Sequence, residues 1–173
     1  AVPAGAFKDV RRVRYVNEAA RTDIRLWLAP KVGLVRADVQ MLAGGGKLNA
    51  ALVLNFRPAG DPPQDVYLVA EVDRGTDSVR LRRWNGVGFS TLGAAAGVGL
   101  KVNDWYRLTA DVEAGPDPLT QTRITVDLVG VTDPGVTASL VAVTTQFLPG
   151  TGRFGLGTDQ GVARFSNFEV YEL

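Results

Sequence analysis

Gly152-Arg153-Phe154-Gly155-Leu156-Gly157-Thr158-Asp159-Gln160-Gly161-Val162-Ala163-Arg164-Phe165-Ser166-Asn167-Phe168-Glu169-Val170 is the stretch whose reading decides the fold. Two short apolar segments, Phe154–Gly157 and Ala163–Val170, flank a turn whose Asp and Gly residues tolerate positive φ. Glycine in the first segment permits close backbone approach, while Phe165 and Phe168 supply large apolar anchors to the second. Upstream, Trp105-Tyr106-Arg107-Leu108-Thr109-Ala110-Asp111-Val112 alternates strictly between apolar and polar positions. That period of two marks a half-buried strand.

The same period recurs outward from this stretch. Val35, Ala37, Val39 and Met41 alternate with Arg36, Asp38 and Gln40. Leu52, Leu54 and Phe56 face one way, and Val53, Asn55 and Arg57 the other. Val66, Leu68, Ala70 and Val72 line the core opposite Tyr67, Val69, Glu71 and Asp73. Val79 to Trp84 follows, with Arg80, Arg82 and Trp84 sharing one face, and Asn85-Gly86 turns it tightly into Phe89–Leu92. Gly93 to Gly99 reads as a loose Ala/Gly loop without the lysine or the strand–helix frame of a phosphate cradle. Thr122–Val129 and Leu140–Val143 complete the strand set, and no credible helix exceeds ten residues. Short strands at regular spacing predict an all-β, antiparallel two-sheet β-sandwich. Residues 24–173 form that domain, with Ile24–Leu28 as its first firm strand. Residues 1–23 read as an arm or linker, arginine-rich from Lys8 onward.

Composition narrows the chemistry. The 173 residues carry 19 basic and 18 acidic side chains, a formal net charge of +1, so no bulk field draws nucleic acid or anionic lipid. Cysteine and histidine are both absent. Disulfides, thiolate chemistry, histidine-based zinc sites and Ser-His or Cys-His catalysis are thereby excluded. No apolar run approaches the roughly 18 residues a membrane helix needs.

The closing strands resemble those of concanavalin A-like, laminin-G-like jelly-roll domains, which read G-R-x-G-L-G-T…A-R-F-D-N-F-x-V. Ser166 stands where that family often has Asp. Ala51–Arg57 with Tyr67–Asp73 is similar to the family's G-L-V-F-R…N-Y-Y-x-V-x-V-D pair, and Val79–Gly86 to its L-x-L-Y-K-x-x-N-G hairpin. The resemblance covers roughly Ile24 to Val170 and implies the jelly roll. Its members include lectins, polysaccharide hydrolases and lyases, adhesion domains and phage tail or capsid appendages. Display outside the cell, at a cell surface or on a virion is the corresponding expectation.

Three kinds of chemistry fit these residues. The glucanase branch of the fold places its nucleophile and acid as E-x-D-x-(x)-E, and Glu71-Val72-Asp73 begins that pattern. Arg74 and Gly75 stand where the second Glu belongs, and Asp77 comes after a turn, so no carboxylate pair is assigned and no catalytic residue is named. A sugar platform is the stronger candidate. Trp84 and Tyr67, with Trp27, offer flat faces for pyranose rings, and Arg57, Arg80, Arg82 and Asp73 offer hydrogen bonds to hydroxyls. The competing structural reading is a cross-strand lattice of Arg36, Arg57, Arg80, Arg82 and Arg107 with Asp38, Glu71, Asp73, Asp111 and Asp127. A Ca²⁺ site would draw on Asp77, Asp104, Asp133 and Asp159, but no dense D-x-D-x-D run appears, and no cofactor is expected. Arg11, Arg12, Arg14 and Tyr15 form a candidate docking patch for a protein partner.

The sequence therefore predicts a non-catalytic recognition or structural module that binds glycan or docks onto a larger assembly. A homo-oligomer is one form of that assembly, with neither nucleic acid nor membrane insertion. The competing expectation is a polysaccharide-cleaving hydrolase or lyase of the same fold.

Overall fold

Alternating side chains become strands because every second position finds the apolar interior. In the computed structural model, which describes residues 11–17, 22–30, 34–42, 49–57, 66–117, 121–145, 153–158 and 162–171, this gives twelve strands and, among those residues, no helix. They are β1 Arg11–Asn17, β2 Thr22–Pro30, β3 Leu34–Met41, β4 Asn49–Arg57, β5 Val66–Asp73 and β6 Ser78–Trp84. The remainder are β7 Phe89–Ala96, β8 Trp105–Ala114, β9 Thr122–Gly130, β10 Thr137–Thr144, β11 Arg153–Gly157 and β12 Ala163–Tyr171. One sheet has the order β1-β2-β11-β4-β5-β6-β7 and the other β10-β9-β8-β3-β12. All pairings are antiparallel, as the predicted sandwich requires.

The quoted closing stretch is not a hairpin. β11 inserts between β2 and β4, whereas β12 crosses to the second sheet and pairs with β3. Leu156 of β11 and Phe168 of β12 thus enter one core from opposite sides. That core also holds Leu52, Leu54, Leu68, Leu81, Tyr106 and Leu108, each 0–1% exposed. Tyr106 keeps its hydroxyl satisfied at the margin, accepting from Lys101 N at 2.6 Å.

Two strand irregularities fall where asparagine takes a left-handed conformation. Asn55 (φ 51°) sits in the register shift of β4 against β5, and Asn167 (φ 49°) in that of β12 against β3. Asn is among the few side chains that adopt this region readily. Asp77 (φ 47°) does so in the β5–β6 turn. Its carboxylate accepts from Gly99 N (3.0 Å) and Leu100 N (2.7 Å), pinning the segment after β7.

Two expectations change. Arg11–Asn17 is not a free arm but an edge strand in register with Thr22–Leu28, so the expected boundary at Ile24 falls inside β2. Edge strands tolerate charge, and arginines at three of the seven positions obscure the period of two. The Ala/Gly run is likewise strand as far as Ala96, facing Ser78–Leu81. Small residues belong there because β7 lies against β10: a Cβ on Gly93 would stand 3.4 Å from Leu140 Cδ1.

A tighter constraint sits at the end of β9, where a Cβ on Gly130 would lie 2.0 Å from the carbonyl oxygen of Asp133. Backbone cannot yield as a side-chain tip can. Gly130→Ala is expected to cost about 2 kcal/mol, or roughly 6 °C in thermal midpoint. Gly88→Ala, with nothing within 4 Å of its Cβ, is expected to be near neutral in the same melting experiment.

Candidate functional site

The face of the seven-stranded sheet turned away from the core is built in register rows. At one end Tyr67, Trp84 and Phe89 lie on adjacent strands, since Tyr67 pairs with Trp84 and Trp84 with Phe89. Their rings form a cluster: Tyr67 stacks on Trp84 at 6.2 Å and 26°, and Phe89 meets Trp84 at 4.9 Å and 59°. The next row runs Gly155, Val53, Val69, Arg82 and Thr91. A third runs Gly157, Ala51, Glu71, Arg80 and Ala94, and a fourth holds Asn49, Asp73, Ser78 and Ala96. On β11 and β4 the rows are short and buried; on β6 they are tall in Trp84, Arg82 and Arg80, and on β7 only Phe89 is large. A ligand therefore meets Trp84, Phe89, Arg82 and Arg80 first.

The tall residues hold one another. Glu71, only 4% exposed, accepts from Asn49 Nδ2 at 2.7 Å on one oxygen and from Arg80 (2.9 Å) and Arg82 (3.2 Å) on the other. Arg80 also donates to Asp73, whose second oxygen accepts from Gly75 N at 2.8 Å. Arg82 continues the chain into the aromatic end, with its guanidinium carbon 4.3 Å from the centre of the Phe89 ring. Thr158 Oγ1 closes the other side by donating to Asn49 O at 3.0 Å. Two guanidiniums and two carboxylates make the ladder neutral in total, and planar donors beside an aromatic surface suit hydroxyl-bearing rings.

Of the residues the sequence singled out, the structure brings Trp84, Tyr67, Arg80, Arg82 and Asp73 onto this one face. Arg57 lies in β4 beyond the register shift, and its side chain falls outside the described residues. Trp27 does not join them: β2 is four strands from β6, roughly 19 Å at normal strand spacing. Arg11, Arg12, Arg14 and Tyr15 lie in edge strand β1, at the far side of the sheet from β6, and their side chains also fall outside the described residues. Three contributors were missed. Phe89 was only half legible: the Asn85-Gly86 hairpin was read, but its loop spans the four residues 85–88, and that length sets residue 84 opposite 89. Asn49 and Thr158 were not, because the chain separation between them hides their proximity.

Two of the four loop aspartates have structural partners. Asp77 clasps Gly99 and Leu100, while Asp133 accepts from Gly135 N (3.1 Å) and Lys101 Nζ (3.1 Å). Asp159 lies outside the described residues. Among the described residues, no group of three or more acidic side chains is placed to hold a metal ion.

The outer face of the other sheet carries the expected charge lattice. Asp38, 5% exposed, takes both ends of the Arg107 fork (2.9 and 3.2 Å) and Asn167 Nδ2 at 2.6 Å, and Arg36 pairs with Glu169. Burial pushes the Asp38 carboxyl up, but hydrogen bonds from Arg107 and Asn167 with the charges of Arg107 and Arg36 outweigh it and leave it below the ordinary value. A carboxyl lowered in the folded state stabilises above its unfolded value, about 4, and that contribution is lost as pH falls through the folded value. Asp38→Asn is therefore expected to flatten the loss of stability below about pH 4 in denaturant titrations. Parallel acid profiles for the two proteins would contradict it.

No protein-family model and no curated protein sequence matches the chain. Among solved structures, the carbohydrate-binding module CBM66 from Bacillus subtilis is similar at a TM-score of 0.60 and 17% identity, over 93% of this chain and 92% of that one. The Caenorhabditis elegans galectin LEC-6 is similar at a TM-score of 0.47 and 14% identity, over 94% of this chain and 95% of that one. The PL-14 alginate lyase from Aplysia kurodai is similar at a TM-score of 0.47 and 10% identity, over 94% of this chain and 87% of that one. The likeness to the carbohydrate-binding module is one of fold, a two-sheet jelly-roll β-sandwich, and does not single out the laminin-G-like branch.

Proposed function

We propose that the chain is a non-catalytic carbohydrate-recognition module whose ligand lies across β5, β6 and β7. The observation that carries this reading is the continuity of the Tyr67–Trp84–Phe89 cluster with the Arg82–Glu71–Arg80–Asp73 ladder on one face. A sugar offers an apolar ring face to the aromatic end and hydroxyls to the ladder, and both needs are met within one strand pair. The shared fold of a carbohydrate-binding module agrees with this reading. Such a module acts outside the cell, at a cell surface or on a virion, as the recognising part of a larger assembly.

Cleavage is disfavoured by the same geometry. Both oxygens of Glu71 are engaged by Asn49, Arg80 and Arg82, and both of Asp73 by Arg80 and the Gly75 amide, so neither carboxyl is turned free toward a scissile bond.

The test is a glycan array run with and without Ca²⁺, followed by calorimetric titration of any sugar retained. The expected result is saturable binding to a defined glycan, weakened about tenfold in Arg82→Ala by loss of one charge-assisted hydrogen bond. A blank array in both conditions would refute the reading, and turnover of the bound glycan would replace it with the hydrolase or lyase alternative.

A further inference from the structure

Among the described residues the two sheets end on four edge strands, β1 and β7 in one, β10 and β12 in the other. An open edge presents unpaired amide and carbonyl groups to any other strand, and proteins blunt it with charge, proline or a bulge. Three of the four edges carry such a device. β1 has arginine at three of seven positions. β7 shifts register against β6 between Leu81 and Arg82. β12 shifts against β3 and bears Arg164 and Glu169. β10 has none of these. Its sequence Thr-Ala-Ser-Leu-Val-Ala-Val-Thr lacks charge and proline, and it follows β9 in unbroken register from Thr137 to Thr144. Val141 and Val143 on its outward row are 50% and 45% exposed.

We propose that β10 is a homotypic interface, where a second copy of the chain adds antiparallel about a two-fold axis and joins the two five-stranded sheets. The occupant is another copy because the strand complements itself. Residues directly opposite in an antiparallel pair share a face, so an axis at Val141 sets Leu140 of one copy beside Ala142 of the other on the same buried row. It sets Val141 and Val143 beside Val141 and Ser139 of the other copy. Two-fold pairing also brings the same edge of both copies together, so an edge dominated by one sign of charge would repel itself, whereas β10 has no charge to repel. Because β10 packs against β6 and β7, the pairing brings two glycan faces to one seam. A clustered glycan would then be held up to about 100-fold more tightly than a single one. The interface itself does not depend on the glycan reading.

The experiment is sedimentation of the 173-residue chain over a range of concentrations, beside Val141→Lys and oxidative cross-linking of Val141→Cys. The chain has no cysteine, so any disulfide joins two molecules. The expected results are a wild-type mass of twice 18.5 kDa at micromolar concentration and a Val141→Lys mass of 18.5 kDa with unchanged melting. Val141→Cys should give a covalent dimer, whereas Val87→Cys, at an 83% exposed turn position, should stay monomeric. A wild type that stays monomeric throughout would overturn the proposal, as would a dimer that survives Val141→Lys.

Discussion

Replacing Trp84 by alanine is expected to weaken glycan binding roughly 30-fold or more, about 2 kcal/mol, while the chain stays folded. Trp84 is the largest ring of the cluster and contacts both Tyr67 and Phe89, so its loss removes most of the flat aromatic surface and leaves Tyr67 and Phe89 edge to face at 6.1 Å. It is half-buried rather than core, and its removal should cost only about 1 kcal/mol of folding stability. Trp105 provides the control. It lies in β8 of the other sheet, and Trp105→Ala should leave the affinity for the same glycan unchanged. Titration calorimetry with a melting curve for each variant separates the two effects. Equal losses of affinity in both variants would show that binding tracks general stability rather than this face.

The largest effect on stability is expected at Glu71. Its side chain is buried and satisfies Asn49, Arg80 and Arg82 together. Glu71→Ala leaves two partly buried guanidiniums without their shared carboxylate, and breaking such a pair costs about 3 kcal/mol, or roughly 9 °C in midpoint for a chain of this size. Glu71→Gln retains an acceptor of similar shape and should lose less. Arg80 keeps Asp73 in either variant, so the damage should centre on Arg82 and its contact with Phe89. Thermal melting distinguishes the two substitutions. A midpoint unchanged in Glu71→Ala would mean that the ladder is a solvated lattice with no structural role.

The physics of the sheet explains what the sequence disclosed. Period-two alternation assigns each side chain to a face, and the inward sets read for β3, β4 and β5 are those found in the core: Ala37, Val39 and Met41, then Leu52 and Leu54, then Leu68, Ala70 and Val72. Alternation says nothing about which strands become neighbours. Trp27 and Trp84 therefore looked like partners although β11, β4 and β5 separate their strands. Asn49 and Thr158 looked unrelated although they touch. The lattice reading and the ligand reading, weighed as rivals, describe different sheets as well as the same one. Asp38 with Arg107 is lattice alone, whereas Glu71 with Arg80 and Arg82 is a lattice that also fixes donors beside aromatic rings. Arginine content was visible in the sequence; the ring against which Arg82 lies was visible only through the length of one turn.

The most direct test of the glycan face is an amide and indole proton–nitrogen NMR titration with a glycan retained on the array. The chain has three tryptophans, at positions 27, 84 and 105, and each gives one indole signal. If sugar lies across β5 to β7, the Trp84 indole and the Arg82 side-chain signal should shift with saturation, while Trp105 stays fixed. Saturable shifts at Trp105 with Trp84 unmoved would place the ligand elsewhere and contradict the assignment of this face.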